Sequence, residues 1–466
     1  MKPKTLFPLV VLLIGSALGL AAADRAPNLI VILCDDLGYG DIGPFGGTKA
    51  RTPHLDRMAH EGARLTHFYA AAVCTPSRAQ FMTGSYAVRV SLPRVVFPAA
   101  PDGISAGEHT LPELLRAQGY ATAAFGKWHL GDQPEFLPTR HGFDHYFGIP
   151  YSNDMGPMPA RPLSPPLPLL RDERVQEIVA DQTQRDLTER FTVEALDFIR
   201  TNRARPFFLY FAHFAPHTPI EPGARFRGKS PHGLYTDWVE EIDDGAGRIL
   251  AELRARGLAE NTLVVFTSDN GPGGDNGKDG GSAAPLRGTK GGIWEGGVRV
   301  PTIAWWPGRI SAGRTISAPA SNLDFLPTLV GLAGGKPAPE RKIDGRDLAP
   351  LLFGHTETSP HESLLYIRGT QVQAVRRGPW KLFVQRAPLA MGALTAEQAR
   401  QPFTPQLFNL EIDSAESTDV AASHPQIVAE LQAIAAAAKA EFGADGKGPG
   451  VRPPGLVSDP KPLRLE

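Results

Sequence analysis

NLIVILCDD, residues 28 to 36, is an apolar run that stops on two adjacent carboxylates. An apolar run without alternation suits a strand buried on both faces, as in a parallel sheet. Three other stretches have the same form. YATAAFGKWHLG (120 to 131) ends in Lys127 and His129, PFFLYFAHFAPH (206 to 217) in His213 and His217, and NTLVVFTSDNG (261 to 271) in Asp269 and Asn270. Helical patterns lie between them: TLPELLRAQ (110 to 118), LTERFTVEALDFIR (187 to 200) and YTDWVEEIDDGAGRILAELRARG (235 to 257). This alternation predicts an α/β sheet covered on both faces, with ligands gathering beyond the carboxyl ends of its strands. Four strands deliver polar groups to that one edge.

Taken singly, an Asp after a strand is a turn or cap residue, and a lone His is an ordinary structural residue. Together they carry a physical argument. Three Asp side chains gathered at one edge repel one another by several kcal/mol unless a cation or protons compensate. Asp35, Asp36, Asp269 and the amide of Asn270 offer only oxygen donors, which favours a hard ion such as Ca2+ or Mg2+ over zinc. Calcium is the expectation. DNGKDG (275 to 280) does not compete, because the twelfth position of an EF-hand loop there is Leu286 where a bidentate Glu is required. RGTKGG (287 to 292) lacks the spacing of a phosphate-binding P-loop.

The N-terminus sets the compartment. Lys2 and Lys4 precede an apolar run from Leu6 to Leu20, followed by Ala21, Ala22 and Ala23, the pattern of a cleavable signal peptide over residues 1 to 23. The run is short for a membrane anchor, and Asp24 is not the cysteine a lipid anchor needs. A periplasmic or secreted chain is expected, where paired cysteines normally oxidise. Cys34 and Cys74 are the only cysteines in 466 residues. Cys34 reads as a small apolar residue of a buried strand, not as a disulfide partner of Cys74. Net charge is −1 for the whole chain and −3 once Lys2 and Lys4 are removed, so there is no nucleic-acid footprint.

CTPSRAQFMTG (74 to 84) places Cys74 at a helix start, with Pro76 suited to the first helical position. A reactive group just before that N-terminus would be exposed and poised for negative charge. The stretch resembles the signature of the formylglycine-dependent sulfatases, Cys-x-Pro-Ser-Arg followed by Thr-Gly, carried here by Cys74, Pro76, Ser77, Arg78, Thr83 and Gly84. The likeness continues in order through TPHLDRMAHEGARLTHFYAAAVCTPSR, GYATAAFGKWHLG, TRHGFDHYFGIPYSND, VEEIDD, FTSDNGP, TKGGIWEGGVRVP and IAWWPG. It most resembles the arylsulfatase A and N-acetylgalactosamine-6-sulfatase group.

The resemblance implies that Cys74 is a precursor, converted by a formylglycine-generating enzyme to an aldehyde whose hydrate attacks sulfur. It implies Asp35, Asp36, Asp269 and Asn270 as ligands of one Ca2+, joined by an oxygen of modified Cys74. Arg78 would hold the hydrate, Lys127 and Lys290 would neutralise sulfate oxygens, and Ser152 would contact sulfate. His217 would protonate the leaving alcohol and His129 would take the proton that re-forms the aldehyde. His213 has no role in this pattern, and RRGPWKLFVQRAPL (376 to 389) offers no histidine for the outer pocket. The Pro-rich stretch 155 to 170, after Ser152, is a candidate pocket wall.

The implied fold is alkaline-phosphatase-like: a large mixed sheet between helices over residues 24 to 355, then a small antiparallel sheet with one helix over 356 to 445. The tail, 446 to 466, reads as extended or frayed. The expected activity is exo-acting removal of sulfate from a galactose- or N-acetylgalactosamine-type saccharide. A phosphodiesterase or phosphonate hydrolase of the same superfamily is the alternative enzyme. A silent binder of sulfated glycans is the non-enzyme alternative, disfavoured because a binder needs no nucleophile.

Overall fold

The computed structural model describes residues 25–157, 161–274 and 279–465. The apolar leader, and most of DNGKDG, lie outside the described residues.

Asn28–Cys34 is buried along its whole length and lies inside a ten-stranded mixed sheet. It pairs in parallel with Phe207–Ala212 on one side and Thr262–Ser268 on the other; Ala121–Lys127 and His145–Ile149 continue the parallel block. The antiparallel Thr302–Trp305 and the hairpin Pro168–Arg171/Arg174–Ile178 extend the two flanks.

Period-2 geometry divides the central strand between two cores. Leu29, Val31 and Leu33 pack with Phe81, Leu115 and Leu326 of the helices Cys74–Thr83, Leu111–Ala117 and Phe325–Leu332. Ile30, Ile32 and Cys34 face Leu55, Phe191 and Trp238 of Pro53–Glu61, Asp181–Thr201 and Leu234–Ala255. Each large apolar side chain so buried contributes about 1.5–3 kcal/mol. This two-sided burial is why the run could be read without alternation.

A second, four-stranded antiparallel sheet comprises Leu364–Arg368, Gln371–Arg377, Trp380–Phe383 and Gln406–Asn409. The helix Pro425–Phe442 covers one face through Leu431 and Ala435. The other face presents Phe383 and Phe408 to Trp294 of the large unit. The architecture is the alkaline-phosphatase-like one expected.

Two local readings are corrected. The Pro-rich stretch does not remain a loop to residue 170, because Pro168 opens a strand, and the first residue of a strand is a position where a missing N–H is tolerated. The tail is extended but not frayed. Gly455–Leu456 pairs with Asp102–Gly103, and Arg452 donates to Glu108 at 2.8 Å.

Candidate active site

The parallel ladder carries its polar ends to one place. Beyond the last residue of the central strand, the Asp35 amide donates to the Ala215 carbonyl and the Asp269 amide to that of Cys34, both at 3.0 Å. Asp36 and His129 then turn with φ of 65° and 66°. That left-handed conformation costs an L-residue about 1–2 kcal/mol and is held here by the surrounding sheet edge.

Cys74 departs from expectation in two ways. It is the first residue of its helix, with Val73 as the extended N-cap, and Pro76 is third. Proline is tolerated there because first-turn N–H groups have no intrahelical partner. The thiol is also buried, at 2% exposure, not displayed. Burial pushes it up; Lys127 and Lys290 pull it part of the way back, and Asp35 and Asp269 oppose them. The net shift is upward, so this is not an activated thiolate despite the helix N-terminus.

Arg78 lies one helical turn beyond Cys74 and is fully buried. Its Nε donates to Asp269 at 2.9 Å and its Nη1 to the Lys127 carbonyl at 2.6 Å. Lys127 Nζ pairs with Asp35 and donates to Ser152 Oγ at 3.1 Å. Lys290 Nζ sits 2.7 Å from Asp36 Oδ1, which also accepts from the Asn270 amide at 2.7 Å. Burial raises the Asp35 carboxyl, but Lys127, His217, Arg78 and Lys290 together hold it well below the usual range. Asp269 moves the other way, pushed up by burial and by Asp35.

The two histidines are oriented by main-chain carbonyls. His129 Nε2 lies 3.1 Å from the Val96 carbonyl, which assigns the proton there and leaves buried Nδ1 as an acceptor without a partner among the described residues. His217 Nδ1 is 2.6 Å from the Thr218 carbonyl, so its Nε2 faces the site, 3.6 Å from Asp36. Burial lowers both imidazoles, helped by Lys127 and Arg78 at His129 and by Lys290 at His217. His213 is excluded from the cluster: it is buried against the Phe211 ring at 4.2 Å. Neither Cys34 nor Cys74 is in a disulfide.

Comparison with known proteins gives this arrangement its family. The sulfatase family model matches residues 27–335, and that of the C-terminal region of aryl-sulfatase matches 359–445. The chain belongs to the sulfatase family. It is similar to N-acetylgalactosamine-6-sulfatase of Rattus norvegicus, at 42% identity over 78% of this chain and 73% of the relative. It is 40% identical to arylsulfatase A of Homo sapiens, over 91% of this chain and 89% of the relative. Among solved structures, the PsFucS1 sulfatase from Pseudoalteromonas sp. superposes with a TM-score of 0.80 at 29% identity, covering 89% of this chain and 90% of that one. The protein is a sulfuric ester hydrolase.

The sulfatase site fits a hard cation. Asp35 Oδ1 and Asn270 Oδ1 are buried without a hydrogen-bond donor among the described residues, which is costly for such oxygens unless a cation meets them. Asp35, Asp36 and His217 each bring a donor atom within 4.8 Å of the others. His217 is the one nitrogen in that group.

Lys290 is held differently from the rest of the sulfatase site. Its neighbours along the chain are gripped by the C-terminal sheet and the segments joining it: Thr289 N donates to the Leu389 carbonyl at 2.9 Å, and Arg368 Nε to that of Gly291 at 2.6 Å. Lys381 Nζ donates to the Ile293 carbonyl at 2.8 Å. The same fully buried Lys381 bridges Glu295 at 3.0 Å and Glu416 at 2.8 Å. Gly291, at φ 83°, passes so close to Met391 that a side chain would collide with its sulfur.

Sequence reasoning missed Asp154 and the Val96 carbonyl. Burial raises the Asp154 carboxyl, but His217 and Lys127 bring it down overall, and its Oδ1 is buried without a hydrogen-bond partner among the described residues. The signal was in IPYSND, where only the serine was singled out. The cavity beside Cys74 is lined by residues from 71–95, Gly291 and 367–391, and no described residue of the Pro-rich stretch is among them.

Proposed function

We propose that this sulfatase is an exported, exo-acting carbohydrate sulfatase of galactose or N-acetylgalactosamine type, with Cys74 working as formylglycine beside Ca2+. One observation carries the reading: a buried, non-activated cysteine lies among two lysines, an arginine and two histidines at an oxygen-rich sheet edge. A thiol nucleophile would need the opposite environment, whereas a precursor does not. The saccharide class comes from the name of the 42% identical rat relative. Export to the periplasm or beyond rests on the leader at residues 1 to 23, and maturation requires a formylglycine-generating enzyme that reads Cys74 to Arg78. The boundaries proposed are 24 to 355 for the catalytic unit, 356 to 445 for the C-terminal unit and 446 to 466 for the tail.

Ca2+, held by Asp35, Asp36, Asp269 and Asn270, would supply Lewis-acid polarisation of the oxygens bound to it. Formylglycine at position 74 would supply the attacking oxygen. The chain's own groups do the rest. Lys127 and Lys290 face the charge that collects on the sulfate oxygens, in a site that excludes most water. Ser152, already bonded to Lys127, adds a hydroxyl donor. A sulfate monoanion between the lysines offsets the cations that depress both imidazoles. His217 Nε2 can then carry a proton to the leaving alcohol, and His129 Nδ1 can take one from residue 74. Arg78 fixes Asp269 and the Lys127 carbonyl behind them.

Two measurements test the proposal together. Peptide mass spectrometry of active protein should show an aldehyde in place of the Cys74 thiol, and kcat/KM should favour galactose-type sulfates over glucosamine sulfates, nitrophenyl sulfate and phosphodiesters. Full turnover with an intact thiol would remove the formylglycine assignment. A preferred phosphodiester would overturn the substrate reading, and attack on an end-blocked sulfated polymer would overturn exo action.

A further inference from the structure

A cavity of about 270 Å3 lies between the helix Cys74–Thr83 and the turn that joins Leu364–Arg368 to Gln371–Arg377. Three of its wall residues each stand one position from a group of the site. Val73 precedes Cys74, Gly291 follows Lys290, and Val95 precedes Val96, whose carbonyl holds His129. These three neighbours make the cavity the candidate space for the alcohol side of an ester whose sulfate lies between the two lysines.

The wall has an uneven charge. It carries two arginines, Arg94 and Arg368, and, among the described residues, no carboxylate. Arg94 is mostly exposed, with Asp102 at 3.3 Å, so water and a partner already meet its charge. Arg368 is only partly exposed. It donates to the carbonyls of Gly291 and Gly392, which orient the guanidinium without neutralising it, and burial lowers its pKa with no carboxylate to oppose the shift. A cation drawn out of water without a counter-charge is unfavourable, and an anion brought by a ligand relieves it. The planar fork suits carboxylate and sulfate alike. Pro76, Ile367 and Met391 give the remaining wall an apolar character that suits the face of a sugar ring.

We propose that this cavity is the subsite for the alcohol side of the ester, and that Arg368 makes it select saccharides whose neighbouring unit carries a second anion, a sulfate or a uronate carboxylate. The assignment rests on the sulfate-ester reading above and goes beyond it by naming the charge of the neighbouring unit.

The test begins with binding, on Cys74→Ala protein, so that it does not depend on turnover. Three disaccharides sulfated on the terminal sugar are titrated calorimetrically, their second unit neutral, carboxylated or sulfated. The charged ligands should bind about tenfold tighter than the neutral one, with the gap narrowing as salt rises. The arm with the larger gap identifies the anion. Arg368→Met should collapse the gap and Arg368→Lys should restore part of it; Arg94→Glu, on the exposed wall, should narrow it even if Arg368→Met does not fold. In active enzyme the same gap should reside in KM. Equal binding of all three ligands, or an equal loss on all three with Arg368→Met, would overturn the inference and leave Arg368 as a brace for Gly291. Discrimination in binding without hydrolysis of any sulfate would instead overturn the proposed function and leave the subsite standing.

Discussion

Lys127 and Lys290 present the same ammonium group to adjacent carboxylates, one to Asp35 and one to Asp36, yet they are built in different ways. Lys127 is the last residue of a sheet strand, in parallel register with Ile149, and its position follows from the ladder itself. Lys290 sits in a glycine-rich segment with no strand or helix of its own, fixed by contacts to its neighbours from Arg368, Lys381 and Leu389, far later in the chain. One wall of the site is thus set by the large sheet and the other by the C-terminal unit.

The most severe way to break the comparison is to remove what both walls share. If one Ca2+ is held between Asp35, Asp36, Asp269 and Asn270, chelation should abolish turnover and lower the melting temperature, and added Ca2+ should restore both. A metal present at 100 times its dissociation constant stabilises by about 2.7 kcal/mol, which calorimetry would detect. Full occupancy by zinc, with His217 as a ligand in X-ray absorption, would refute the oxygen-only set.

Replacing each lysine by methionine comes next. Either substitution should lower kcat/KM by about 10²- to 10³-fold, the usual loss when one preorganised charge is removed from a transition state. Stability should separate them. Lys127→Met leaves Asp35 without its closest cation in the fully buried interior, and about 3–5 kcal/mol is expected for breaking such a pair. Lys290→Met should cost less, because Lys290 is 7% exposed against 1% for Lys127 and water can reach its partner more readily. Equal melting temperatures for the two variants would remove the distinction.

How much of this was legible in the sequence follows the same division. The four apolar runs, each ending on polar groups, announced the sheet edge, because strands buried on two faces leave an unbroken hydrophobic record. Lys127, His129, His217 and the four oxygen donors could be placed from that record alone. Lys290 could not, since RGTKGG matches no spacing rule and entered only through resemblance to sulfatases. The burial of Cys74 was equally hidden: the Gly291 amide donates to the Ala72 carbonyl at 2.7 Å, joining the loop after Lys290 to the chain just before the cysteine. A helix start is written locally, whereas what covers it is not. The edge hairpin was masked by the prolines that precede it.

A double-mutant cycle sharpens the claim that the C-terminal unit positions Lys290. Lys381→Met should reduce kcat/KM about tenfold and destabilise the fold, since it leaves Glu295 and Glu416 buried without their shared cation. Adding Glu416→Gln removes one orphaned charge and should recover part of the stability, which separates positioning from unfolding. In a Lys290→Met background the further loss in kcat/KM from Lys381→Met should nearly vanish, whereas in a Lys127→Met background it should persist in full. Equal additivity in both backgrounds would show that Lys381 serves stability alone.

The smallest expected effect comes from two imidazoles of the large unit, one buried and one half-buried. His213 lies just after the strand that leads to His217, and burial pushes it down to about 3. His67 is pushed to about 3 by burial, with Arg299 and Arg376 adding to the shift and Glu295 opposing it. Both are neutral when folded and take up a proton near pH 6.5 when unfolded. Between about pH 6.5 and 3 the unfolded chain therefore binds more protons, and stability falls as the pH is lowered through that window, by up to about 1.4 kcal/mol per pH unit for each histidine. His213→Leu and His67→Leu should each flatten the acid limb of the melting-temperature profile by about 1–2 °C at pH 5.5. The two should differ in salt dependence. His213 is shifted by burial alone, so its contribution should be insensitive to ionic strength, while that of His67 should weaken at high salt as the neighbouring guanidinium charges are screened. Matching salt responses would show that the charges of Arg299 and Arg376 do not reach His67 and that its shift, like that of His213, comes from burial alone.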